Sequence, residues 1–147
     1  MNMSLFTPGS PVWTSRLLAV LRIVIGAIYI MAGAMKAFGF PPPPAVIPPM
    51  PVIPPMWELH LAAWLEMIGG TALVFGFFTR PVAFIISGEM AVAYWQVHNP
   101  VSPWITASGG MPAAVLCFTL LYMSFAGGGA WSIDSMIALR SPRAHPS

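Results

Sequence analysis

From Leu17 to Phe40 the chain reads LLAVLRIVIGAIYIMAGAMKAFGF, twenty-four residues with only two charges, Arg22 and Lys36. About 20 apolar residues cross the hydrocarbon core of a bilayer. The run exceeds the roughly 7–15 apolar residues of a signal peptide. Arg22 interrupts it, so although Ala32-Gly33-Ala34 faintly resembles a cleavage site, the stretch reads as a retained transmembrane helix. Arg22, Gly26, Tyr29, Gly33 and Lys36 follow one another at steps of four, three, four and three, which keeps them on one stripe of a helix. The other faces carry Ile, Val, Leu, Met and Ala. The two glycines suit close approach by a second helix.

The rest of the chain has the same character. Of 147 residues, 57% are hydrophobic and 7% charged, against roughly 25% charged in an average soluble domain. A soluble fold of this length could not cover its surface, whereas a bilayer demands apolar cover. The length is that of one domain. The net charge is +2 and the six basic residues are scattered, not gathered into the basic stripe that a nucleic-acid partner needs. The single cysteine, Cys117, lies in an apolar run with no C-x-x-C, so a thiol–disulfide enzyme is not indicated.

An all-α membrane bundle of four spans follows, with helices at about 16–38, 57–78, 81–97 and 111–126 and a tail at 131–147 that begins with a short interfacial helix capped by Ser132. Residues 1–15 read as a polar lead. Asn99-Pro100, Pro103 and Gly109-Gly110 mark a loop, and Gly127-Gly128-Gly129 ends the fourth helix. Lys and Arg set the orientation. Arg16 and Arg22, Arg80, and Arg140 with Arg143 fall at every second connection, which places both termini in the cytoplasm. The loop between the first two helices repeats Ala45-Val46-Ile47-Pro48-Pro49-Met50 as Pro51-Val52-Ile53-Pro54-Pro55-Met56. This proline density predicts polyproline II, read as a covering loop on the outer face.

Helix 2 carries its own stripe, Ala62, Glu66, Gly69, Leu73 and Gly76, and helix 3 places Glu89, Ala93 and Gln96 on one face. At about 1.5 Å per residue, Arg22 and Glu89 lie about 10 Å from the cytoplasmic ends and Glu66 deeper. An unpaired charge at such depth costs at least about 2.5–3.5 kcal/mol. An intramembrane polar cluster of Arg22, Tyr29, Glu66 and Glu89 is therefore expected, with Arg22 paired to Glu89, Glu66 or both. Lys36, His60 and His98 form a second polar group near the outer face. No H-E-x-x-H, no H-x-x-H and no phosphate loop occurs, so no metal ligand set or catalytic constellation is expected.

Leu21-Arg22-Ile23 followed by Gly26, Gly33 and Lys36 resembles the first helix of DoxX-family membrane proteins. Glu66 with Gly69-Gly70, Leu73, Gly76 and Thr79-Arg80 is similar to their second helix and turn. Cys117-Phe118, Leu120-Leu121-Tyr122, the glycine run and Trp131-Ser132-Ile133-Asp134 are similar to their final segment. The proline repeat departs from that pattern, as does Met111 after Gly109-Gly110, where many relatives carry an acid. The resemblance implies a single four-helix domain in a bacterial cytoplasmic (inner) membrane. The family takes its name from a subunit of a thiosulfate:quinone oxidoreductase. This implies a membrane subunit or accessory of a quinone-linked redox or stress-response system; no cofactor motif is evident in the sequence, and quinone is the cofactor such a system would use. The competing expectations are a scaffold that docks a membrane protein or a second copy of itself, and a small-solute or proton carrier.

Overall fold

The computed structural model describes residues 11–42 and 54–140. Residues 1–10, most of the proline repeat (43–53) and 141–147, including Arg143, lie outside them. The described residues form helices and turns with no strand: α1 (Pro11–Phe38), α2 (Met56–Phe75), α3 (Thr79–Ala93), α4 (Met111–Ala126) and α5 (Ile133–Arg140). Among the described residues, α1 alone is by length and composition long and apolar enough to cross a membrane, and α4 is a shorter apolar helix.

Several boundaries differ from the sequence expectation, among them those of α3, which runs from Thr79 to Ala93 rather than over 81–97. α1 begins at Pro11 rather than at 16, because proline suits the first turn, where its missing N–H has no helical partner. α2 stops at Phe75 rather than at 78. Gly76 takes the left-handed conformation at φ 67° and closes the end through bonds to Ala72 and Leu73. α3 then begins at Thr79 with Pro81 in its first turn.

α1 lies antiparallel along α2. A Cβ on Gly26 would sit 2.7 Å from the Gly70 carbonyl oxygen, and one on Gly33 would sit 2.6 Å from that of Ala63. The backbones therefore touch where both sequences are small. The α2 face against α1 is Ala63, Met67, Gly70 and Val74, one residue along from the stripe read in the sequence. That stripe faces inward instead: a Cβ on Gly69 would collide with the Ile86 side chain of α3. α3 lies along α4, joined by the Ser87 hydroxyl donating to the Cys117 carbonyl at 2.8 Å. Past Ala93 the chain loosens into a π-helical turn, Tyr94–His98.

The core is Ile25, Tyr29, Leu73, Ile86, Leu120 and Met123. The outside is equally apolar: Ile68, Phe84, Phe118 and Phe125 are more than half exposed. Water would penalise such a surface and hydrocarbon does not.

The glycine run does more than end α4. It lays the chain against the start of α1, where Ala130 N–H donates to the Ser15 carbonyl at 3.0 Å. The Ser132 hydroxyl accepts from Ser135 N–H at 3.1 Å, capping α5 as expected.

Candidate functional site

The structure holds two polar centres, one toward each end of the bundle. The first is built on Arg22, which is fully buried. Its Nε donates to the Gly128 carbonyl at 2.9 Å. Nη1 donates to the carbonyls of Leu73 and, at 2.7 Å, of Val74. Nη2 donates to the Trp131 carbonyl at 3.0 Å. Leu73 and Val74 lie where α2 ends, so its last carbonyls lack the usual i+4 helical partners, and Leu73 accepts from Arg22 as well as from the Gly76 N–H. Arg22 is thus a clamp joining α1, the end of α2 and the glycine run.

The expected pairing of Arg22 with Glu66 or Glu89 is corrected: Arg22 binds backbone. A long side chain in a helix leans toward the helix N-terminus, which carries Arg22 away from Glu66. The nearest acidic influence on it is Asp134. Asp134, whose role the sequence reading missed, accepts from Phe78 N–H at 2.9 Å and Thr79 N–H at 2.8 Å, capping α3 from the other end of the chain. An acid one residue into a short helix is ordinary, so only its return to α3 reveals the role.

The second centre uses the same lean, which here carries the side chain toward the middle of the bundle. Lys36 lies near the end of α1 and bends back into the bundle, where Nζ donates to Glu66 Oε1 at 2.5 Å. The lysine side chain is 32% exposed and that of Glu66 only 3%. Glu89, on α3, has Glu66 and Lys36 as its charged neighbours. The Tyr29 phenol is set among Glu89, Glu66 and Cys117. Among the described residues the Tyr29 hydroxyl, Glu66 Oε2 and Glu89 Oε2 are buried without a hydrogen-bond partner. Lys36 thus joins Tyr29, Glu66 and Glu89, while Arg22 does not.

This centre opens on a cleft between α2 and α3 with a volume of about 430 Å³. Its walls include Ala62, Leu65 and Val92, and its polar groups include Lys36, Glu89, Gln96 and His98. The π-helical turn carries Gln96 and His98 to the rim. His98 Nδ1 sits 3.3 Å from the Ser108 carbonyl oxygen. His60 is exposed and stands apart from the cleft. Glu58 lines it and was not anticipated, although it precedes Ala62 by one turn on the stripe through Glu66. A second hollow of about 320 Å³ continues along α2 and α3, sharing Leu61, Leu65 and Ile85 with the first and reaching Trp64 and Ile68. No group of three or more His, Cys, Asp or Glu fit to hold a metal ion occurs among the described residues.

The sequence model of the family described as DoxX matches residues 17–99. The chain belongs to the DoxX family. The matched segment runs from α1 through the π-helical turn and contains Arg22, Tyr29, Lys36, Glu66 and Glu89. This DoxX protein is similar to an uncharacterized protein of Haemophilus influenzae, with 37% identity over 128 residues, covering 80% of this chain and 88% of that one. It is also similar to Inner membrane protein YqjF of Escherichia coli, with 29% identity over 118 residues, covering 80% of this chain and 89% of the relative. No solved structure matches.

Proposed function

We propose that this protein is a four-span, single-domain protein of a bacterial cytoplasmic membrane, with both termini cytoplasmic. We further propose that it binds a quinone between α2 and α3 as the membrane accessory of a redox system. The alternation of Arg and Lys between connections supports the orientation. The printed name of the Escherichia coli relative supports the membrane.

The observation that carries the ligand reading is the cleft. It has apolar walls, a few converging polar groups, and a volume of about 430 Å³ within the range of small-molecule sites. The adjoining hollow runs beside the exposed side chains of Trp64 and Ile68. A quinone has the matching form, a ring with two carbonyl acceptors on an apolar chain. In this reading Gln96 and His98 donate to ring oxygens, and the chain lies along Leu61 and Ile68. Passing between quinone and quinol takes two electrons and two protons, and the electrons belong to a partner oxidoreductase. The glycines suited to docking a foreign helix are used within the chain, between α1 and α2, which favours ligand binding over a scaffold role.

Protein purified in mild detergent and extracted with organic solvent should yield quinone. Ala62→Phe, which fills the cleft, should abolish retention and leave the helical content unchanged. Wild-type protein that neither retains quinone nor binds added quinone would end the reading.

A further inference from the structure

We infer that the Tyr29–Lys36–Glu66–Glu89 cluster is a binding site for one proton, and that this proton exchanges with only one end of the bundle, the end at which the cleft opens. The inference shares residues with the quinone reading but needs no quinone.

Charge comes first. The cluster holds two carboxyl groups and one ammonium. Lys36 is committed to Glu66 by a direct bond, so Glu66 is neutralised. Glu89 has no cation of its own. Its Oε2 and that of Glu66 are buried without partners, as is the Tyr29 hydroxyl. An uncompensated carboxylate in such surroundings is costly, and binding a proton removes the cost. The proton converts Glu89 to a carboxylic acid, whose O–H is a donor among acceptor oxygens that have none.

Other titratable neighbours come from each element packed around Glu89. α1 supplies Tyr29 and Lys36, α2 supplies Glu66 and Glu58, the π-helical turn supplies His98, and α4 supplies Cys117. Only Lys36 carries a fixed positive charge, and it is already engaged.

Access comes second. Glu89 and Lys36 line the cleft together with Glu58, Gln96 and His98, all toward the end where α1 leaves for α2. In the other direction the interior is closed by Ile25, Leu73, Ile86, Leu120 and Met123, every one buried. Beyond them Arg22 has its donors fixed on four carbonyls. A proton therefore reaches Glu89 through the cleft and meets packed hydrocarbon on the far side.

Dicyclohexylcarbodiimide tests both halves, because it adds to protonated carboxyl groups in apolar surroundings. Whole protein in vesicles is sorted for orientation by protease access to the tail, and pH is varied on one side at a time. Mass spectrometry then locates the label. Label should appear on Glu89 and not on Glu66. Its rate should fall about tenfold for each pH unit above the midpoint on the cleft side and stay unchanged when pH is varied on the Arg22 side. Lys36→Met, which removes the cation, should bring label to Glu66 as well. If that variant does not assemble, the wild-type labelling alone decides. Absence of label on Glu89 at every pH, or a rate that follows the Arg22 side, overturns the inference. The quinone reading is scored separately by solvent extraction. Sided labelling without quinone removes only that reading, and quinone without labelling removes only this one.

Discussion

Arg22 and Lys36 sit fourteen residues apart on one stripe of α1 and lean the same way, yet end in opposite circumstances. Arg22 starts in the N-terminal half of α1 and reaches toward the carbonyls that finish α2. Lys36 starts near the C-terminal end and reaches inward to a carboxylate. A planar fork with several donors suits carbonyls arranged around it, and a lysine is no replacement. Arg22→Lys should keep the charge but lose part of the cage, costing roughly 1.5–3 kcal/mol, the scale of a hydrogen bond to a charged group. Denaturant unfolding in detergent would measure it, and unchanged stability would contradict the clamp. That these residues point inward was legible from their spacing. Their partners were not, because spacing along one helix carries neither the lean of a side chain nor the return of a distant segment. Gly128 and Trp131 lie more than a hundred residues from Arg22.

Elements meet where side chains are smallest. Gly26 and Gly70 each stand where a Cβ would press on the other's carbonyl oxygen at 2.7 Å. Gly70→Val should force α1 and α2 apart at a cost of about 1–3 kcal/mol, seen as a lower melting temperature in detergent. Gly88, whose added Cβ meets nothing within 4 Å, provides the control, and Gly88→Ala should be neutral or stabilising. The sequence showed that glycine stripes exist. It did not say which face of α2 meets α1, since stripes through Gly69 and Gly70 differ by one residue and pattern alone does not choose between them. The end of α2 and the start of α3 were missed because the turn between them is read from its glycine and proline alone. A proline at 81 reads as a start, but the first turn tolerates it and the helix begins two residues earlier. The π-helical turn left no signature in composition. Such turns recur at functional sites, and here one sets Gln96 and His98 on the rim of the cleft.

For the whole molecule, an apolar exterior was legible from composition, while the cleft was not, since it depends on how α2 and α3 part. If both termini lie in the cytoplasm, a cysteine placed at exposed His60 should react with an impermeant maleimide added outside intact cells, and one at exposed Arg80 should not. The reverse pattern would invert the orientation and with it the side from which protons come. The arginine cage also imposes an order on biogenesis. Chains are made from the N-terminus, so Arg22 enters the membrane long before Gly128 and Trp131 exist. Until those carbonyls arrive the guanidinium has at most the end of α2 to satisfy it, and the first turn of α3 waits for Asp134. A nascent chain, or one truncated before Gly128, therefore holds the guanidinium with part of its cage missing. Only when the segment from Gly128 to Asp134 has been made are the guanidinium fully engaged and the start of α3 capped, so the last step of assembly lies far along the chain from the first helix.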